Sequence, residues 1–307
     1  MVIIMKNRLQ GSLLLLFTTV IWGSSFVAQS VGMDHVEPFT FQAIRCGLAV
    51  IGLLPIIWIA DQGKHDGKTF MQRFTDKTLL KAGLFCGIPL FFAVNLQQIG
   101  IVYTDSGKAA FITAMYIVFV PILGLLLKRK PSPMVPVSVA IAVVGLYCLS
   151  CVGVTEVNKG DGYLLCCAVA FAVQILVVEK YALAVDGLRL NCLQALFCSI
   201  GSTIIMLLTE SPTISGIQGS WWPMCYSGFL SMGAAYSLQI LGQKKLESAP
   251  ASLIMSLESV FAVLFGWLFL QEILTFWEAL GCLLVFTAVI LSQIPLPLKK
   301  TKKRQNA

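Results

Sequence analysis

The sequence predicts an all-α integral membrane protein whose ten transmembrane helices form two inverted five-helix repeats. Three observations predict it: ten apolar runs of membrane-spanning length, basic residues concentrated in alternate connections, and short motifs that recur between the halves. Of the 307 residues, 57% are hydrophobic and 12% charged, whereas an ordinary soluble domain carries about 25% charged residues. Runs of about 18 or more apolar residues mark membrane-crossing helices, because in lipid a helix satisfies its own backbone polar groups.

The first span, 9–30, follows Lys6 and Arg8, and its apolar run is too long for the core of a cleaved signal peptide. Thr18, Trp22, Ser25 and Gln29 fall on one helical face of it. The second, 38–59, carries Arg45 in the motif QAIRC; the third, 79–101, ends in NLQQIG, three amides within an apolar stretch. The fourth, 106–127, opens with Ser106 and Lys108, and Ser106, Ala110 and Thr113 form a small-residue stripe. The fifth, 134–152, holds Cys148 and Cys151, an i, i+3 pair read as packing. The sixth, 161–180, has Gln174 at its middle; the seventh, 189–208, contains QALFC; the eighth, 222–243, contains Tyr236 and SLQILG. The ninth, 249–270, bears Ser252, Ser256, Ser259 and Glu258 just after Ser248, and the tenth is 276–294. Only 60–78 and the residues after Ile294 remain for soluble structure, too few for a domain.

Ten crossings with a cytoplasmic N-terminus place 19 of the 22 basic residues on the inner side, among them Lys64, Lys77, Lys128, Arg129, Lys130, Lys244, Lys245 and the KKTKKR tail. Positive charge on short loops marks the cytoplasmic face, so both termini are expected inside a cell (inner or plasma) membrane. The net charge of +7 is thus a topology signal and not a nucleic-acid footprint.

Shifting the chain by 142 positions brings Asn95 onto Ser237, Gln97 onto Gln239, Gly100 onto Gly242, Ser106 onto Ser248 and Tyr116 onto Glu258. QAIRC and QALFC match at a separation of 152. The expected organisation is a first repeat over 1–152, a second over 153–294 and a basic cytoplasmic tail over 295–307. An odd number of crossings per repeat turns the second upside down, which explains why Lys128, Arg129 and Lys130 correspond to Leu270, Gln271 and Glu272. Inverted repeats are the architecture of alternating-access carriers, with the solute near the midplane between the halves.

IWGSSF at 21–26, the Arg of QAIRC, SGKAAFITAMYIVFVP at 106–121 and SLESVFAVLFGWLFLQE at 256–272 occur in an order that resembles the drug/metabolite transporter superfamily, specifically EamA-type ten-helix carriers. The resemblance covers nearly the whole chain. It implies a central cavity lined by helices 1–4 and 6–9, with helices 5 and 10 peripheral, and solutes ranging from amino acids and other metabolites to toxic compounds. Two positions depart from the family pattern: Ser259 stands where proline is frequent, and Lys130 where helix 4 often ends in an acid.

Charge within a membrane helix costs about 2.5–3.5 kcal/mol on insertion scales, so each instance calls for a partner or a purpose. Glu258 could bind a cationic group, carry a coupling proton or tie helices together; Arg45 could clamp a carboxylate, snorkel outward or pair with an acid. Lys108 lies near a helix end, where snorkelling is cheap. Candidate substrate-binding or coupling residues are Glu258, Arg45, Trp22, Ser25, Asn95, Gln98, Tyr116, Gln174, Tyr236 and Gln239; buried amides equally serve as helix-to-helix hydrogen bonds. Enzyme chemistry finds no support: His35 and His65 lie in loops on opposite sides, and SGKAA lacks the spacing of a phosphate-binding loop. Transport must then draw on a gradient. The expected function is movement of a small metabolite or drug-like solute, amino acids included, in the export direction and coupled to protons. An uncoupled facilitator or a membrane scaffold is the alternative. No cofactor, metal or nucleic acid is implied; the partners are a small-molecule solute and the lipid bilayer, with homodimerisation left open.

Overall fold

A computed structural model describes residues 2–64, 67–104, 106–128, 132–150, 157–270 and 275–293. His65, Arg129, Lys130, Cys151, Gln271, Glu272 and the tail from 295 lie outside the described residues, as does the junction between the two repeats. Helices account for all the regular structure among the described residues: α1 (Val2–Gly32), α2 (Pro38–Asp61), the short α3 (Phe70–Phe74), α4 (Lys77–Val102), α5 (Ser106–Ala114), α6 (Tyr116–Leu126) and α7 (Met134–Ser150), then α8 (Lys159–Ala182) and α9 (Gly187–Thr209). After α10 (Ile214–Gly219) comes a run of α11 (Trp221–Cys225), a π-helical segment (Tyr226–Ala235) and α12 (Tyr236–Gln243), followed by α13 (Ser248–Met255), α14 (Leu257–Leu270) and α15 (Phe276–Ser292). Seven of the crossings are helices long and apolar enough to span a bilayer; α7 and α15 are shorter, and the eighth crossing is the segmented run 221–243.

Two crossings break at their centres. The first half of the fourth crossing ends at Ala114 and the second begins at Tyr116; in the ninth the interruption falls between Met255 and Leu257. Tight i to i−3 bonds close each break: Met115 N donates to Ile112 O and Val118 N to Met115 O, while Ser259 N donates to Ser256 O. Ser252 and Ser256 hydroxyls donate back to Ala249 O and Leu253 O, a pairing that bends helices. The bend that a proline would supply at Ser259 is therefore made by serines one turn earlier, and the Ser259 hydroxyl instead bridges to Ala110 O across the helix pair.

The π segment has its own logic. Its wide turns free carbonyls from the ladder, and side chains from three other helices occupy them. Asn191 Nδ2 donates to Met232 O and Gly233 O, Arg45 Nε to Ser227 O, and Thr18 Oγ1 to Ala235 O. Gly228 permits the approach, since a Cβ there would meet Arg45 O at 2.9 Å.

Equivalent helices meet across a pseudo-twofold axis. The helices α7 and α15 occupy positions 134–150 and 276–292, offset by the 142 residues that also separate Tyr116 from Glu258. They pack antiparallel: Gly145 lies against Leu284 and Val285, while Gly281 lies against Leu149. The helices α2 and α9 pack the same way, with Ser199 Oγ donating to Ala43 O beside Gly47, and Cys192 clustered with Leu53 and Ile57. Helices that correspond in sequence but run in opposite directions are the signature of an inverted repeat.

Glycines set the closest approaches, as expected where helix association in lipid relies on backbone contact. Between α1 and α12, a Cβ on Gly242 would lie 2.8 Å from Leu15 and 3.1 Å from Gly11 O. Between α4 and α8, a Cβ on Gly100 would lie 2.5 Å from Leu164 and 3.2 Å from Gly160 O. The two crossings are copies of one another, Gly11 and Leu15 corresponding to Gly160 and Leu164 as Gly242 corresponds to Gly100. They lie toward opposite ends of the bundle.

Candidate functional site

Between these crossings residues of both repeats line a chamber. Its wall comprises Trp22, Phe26 and Gln29 from α1, Arg45 from α2, Gln97 from α4, Tyr116 from α6, Phe171 and Ile175 from α8, Ser231 from the π segment, Tyr236 and Gln239 from α12, and Glu258 from α14. The cavity among these side chains is about 20 Å³, room for about one water. Anything larger needs side chains or helices to move apart.

Tyr116 and Glu258, equivalent positions of the two repeats, touch: the Tyr116 hydroxyl donates to Glu258 Oε1 at 2.9 Å. Each sits in the first turn after its helix break. Glu258 forms no ion pair among the described residues.

Arg45 occupies the other side of the axis. It is 2% exposed, and its guanidinium reaches Gln29 Oε1 at 2.6 Å, Ser231 Oγ at 2.9 Å and Ser227 O at 3.3 Å. It neither snorkels nor pairs with an acid among the described residues. The Trp22 and Tyr236 rings stand 4.9 Å apart, tilted by 57°. Trp22 Nε1 and Gln239 Oε1 have no hydrogen-bond partner although both are buried.

Six of the residues singled out in the sequence, Glu258, Arg45, Trp22, Tyr116, Tyr236 and Gln239, come together on this wall. Four do not line it. Ser25 accepts from Gln29 Nε2 within α1. Asn95 accepts from Ser202 and donates to Phe91 O, so it faces α9. Gln98 donates to Gln29 O and accepts from Gln42 Nε2, linking α1, α2 and α4. Gln174 stands one step behind the wall, accepting from Gln239 Nε2 at 3.1 Å. Gln29 and Gln97 were visible as members of the polar stripe and of NLQQIG. Phe26 closes the motif IWGSSF, whereas Ser231, Phe171 and Ile175 carried no distinguishing signal, being small or apolar residues among many.

Outside the chamber several charges pair. Lys108 reaches Asp161 at 2.8 Å rather than running free to the interface, and Asn158 Nδ2 donates to Tyr103 O at the same end. At the opposite end Arg189 pairs with Asp61, and Lys64 bridges Asp61 at 3.3 Å and Asp186 at 3.2 Å. Burial alone would raise the Asp186 carboxyl, but the Arg189 backbone N–H and Lys64 outweigh it and hold the group below the usual carboxylate range.

Comparison with known proteins gives a consistent result. The profile of the EamA-like transporter family matches residues 9–151 and again 158–293. An uncharacterized transporter of Archaeoglobus fulgidus is 31% identical over 288 residues, 93% of this chain and 86% of that one. The uncharacterized transporter YoaV of Bacillus subtilis is 20% identical, over 89% of this chain and 93% of its own. A solved crystal structure superposes with a TM-score of 0.75 over 92% of this chain and 96% of that chain, at 14% identity, a likeness of fold.

Proposed function

Because the chain belongs to the EamA-like transporter family, we propose that it is a secondary carrier that exports a small solute, of about amino-acid size, across the cytoplasmic membrane by alternating access. The observation that carries this reading is the narrow chamber walled by both repeats, together with one close glycine–leucine crossing that recurs toward each end of the bundle. Two equivalent seals are what a rocking pair of inverted repeats needs: opening the α4–α8 crossing exposes the chamber to one side, opening α1–α12 exposes it to the other. A scaffold has no use for either the chamber or the duplicated seals. The distribution of basic residues supports a cytoplasmic position for the α1–α12 crossing in this reading.

Glu258 is the coupling group in this reading. It meets its counterpart from the other repeat, and a carboxyl that, among the described residues, is hydrogen-bonded to a tyrosine hydroxyl and to no cation gains and loses a proton without breaking an ion pair. Protons entering down their gradient then drive the solute outward. The test is mass-spectrometric profiling of cells and medium with wild type, Glu258→Gln or empty vector at matched membrane levels. Wild type depletes one solute class from cells below the medium concentration; Glu258→Gln only equilibrates it or does not move it. Redistribution by the variant equal to wild type would remove Glu258 from the mechanism, and no redistribution by well-folded wild type would remove the carrier reading.

A further inference from the structure

We infer that Arg45 is the anchor for a carboxylate on the transported solute, so that the chamber takes small monocarboxylic acids with an apolar body; this rests on the carrier reading above.

Arg45 is fully enclosed, yet each of its protein partners is a neutral oxygen: an amide, a hydroxyl and a backbone carbonyl. Those three bonds use three of its five N–H groups and leave one on each terminal nitrogen. Neutral partners hold the fork rigidly but leave its charge uncompensated in a poorly polarisable interior, where an unpaired charge is costly. A residue serving helix packing alone would be better matched by an acid, as Arg189 is by Asp61 at the bundle's end. The surrounding chain is shaped to hold this one side chain. The π segment brings Ser227 O and the Ser231 hydroxyl to it together, and Gly228 lets the two helices approach closely enough for both bonds.

The rest of the wall defines what the acid carries. Trp22, Phe26, Phe171, Ile175 and Tyr236 offer an apolar body of contact, with the Trp22 indole N–H unpartnered. Arg45 is the one cation on that wall, and Glu258 is its one acid. A single guanidinium beside a carboxyl group favours one negative charge on the ligand and disfavours a dianion such as a phosphate monoester. A planar carboxylate matches the guanidinium fork, which a compact ammonium does not reproduce. The acid comes from one of two sources that share this chemistry, an amino acid whose ammonium meets Glu258 or an acid without an amine.

The experiment measures binding and flux separately. Purified wild type in lipid nanodiscs is titrated, with thermal unfolding as readout, against L-leucine, 4-methylpentanoate, 3-methylbutylamine and leucinamide, and against the same four head groups on a shorter and a longer alkyl body. Compounds with a free carboxylate raise the unfolding midpoint, while the amine and the amide leave it unchanged. The matched compounds need no variant, so a folding defect cannot mimic the result. Arg45→Gln abolishes the response, and Arg45→Lys weakens apparent affinity by about tenfold or more. If the amino acid binds and its deaminated partner does not, Glu258→Gln brings the two together, which supports the anchor and names the source. Binding of the amide or amine as tight as that of the acid, retention of the acid response in Arg45→Gln, or no response to any carboxylate would overturn the inference. Flux of a solute lacking a carboxylate would also overturn it while leaving the carrier reading intact. Arg45-dependent binding of carboxylates with no flux of any of them would remove the carrier reading and leave the anchor.

Discussion

Replacing Gly100 or Gly242 by alanine should push the protein in opposite directions. A methyl group at Gly100 would sit 2.5 Å from Leu164 Cγ and 3.2 Å from Gly160 O; at Gly242 it would sit 2.8 Å from Leu15 Cγ and 3.1 Å from Gly11 O. Ordinary carbon contacts are about 3.5–4.0 Å, so each crossing has to yield by roughly 1 Å. Overpacking of that size costs about 1–3 kcal/mol, which shifts a two-state equilibrium by about 5–150-fold. The cost falls only on states in which that end is closed. Gly100→Ala therefore favours the state open at α4–α8, and Gly242→Ala the state open at α1–α12. The assay uses a cysteine introduced at Ile175 on the chamber wall, in a protein stripped of its ten native cysteines. A membrane-impermeant maleimide is applied to right-side-out and inside-out vesicles. The ratio of the two alkylation rates should rise in one variant and fall in the other, with Gly100→Ala raising labelling from outside. A shift in the same direction for both, or in neither, would refute the assignment of these crossings as the two seals.

Three further outcomes follow from the geometry. Tyr116→Phe removes the hydroxyl that donates to Glu258; stranding a buried acceptor costs about 1–3 kcal/mol, so the variant should lose solute accumulation while retaining its fold by size-exclusion and melting. Gly281→Ala places a methyl 2.6 Å from Gly145 O and 2.8 Å from Leu149 N, backbone atoms that cannot rotate away. Its melting free energy should drop by about 1–3 kcal/mol or more, with solute binding at the remote chamber kept. Asp186 caps α9 through Arg189 N at 3.1 Å and meets Lys64. Because its folded pKa is depressed, its stabilising contribution is complete above its unfolded value of about 4 and is lost as pH falls through the lower folded value. Melting curves of wild type and Asp186→Ala should thus differ at neutral pH and converge in strong acid; a gap that is constant to the lowest accessible pH would contradict the ion-pair account.

Apolar run length and repeat spacing made the crossings legible, and α7 and α15 share bounds offset by the same 142 positions that the motifs show. The interruptions were not. Nothing in the local composition around Met115 distinguishes a broken helix from a continuous one, and the back-bonding serines at Ser252 and Ser256 read equally as a packing stripe. The π segment escaped for a related reason: its freed carbonyls are held by Asn191, Arg45 and Thr18, all distant in sequence. It is also what carries Ser231 to Arg45. Within NLQQIG the limit is one of angle. Successive residues turn by about 100° on a helix, so one face takes only one of the three amides: Gln97 reaches the chamber, Asn95 turns to Ser202 and Gln98 to Gln42. Its counterpart Gln239 reaches the chamber from the other repeat.

The contact between Tyr116 and Glu258 bears on how such a chain could arise. In a dimer of identical subunits, a residue on the twofold axis faces its own copy: two glutamates there would repel, and two tyrosines would lack a carboxylate to share. Once both copies reside in one polypeptide, each position mutates independently of its twin. An acid can then meet a hydroxyl at the one place where symmetric ancestry would forbid a complementary pair. The fused chain keeps the geometric equivalence of its ends while placing two different side chains at its centre.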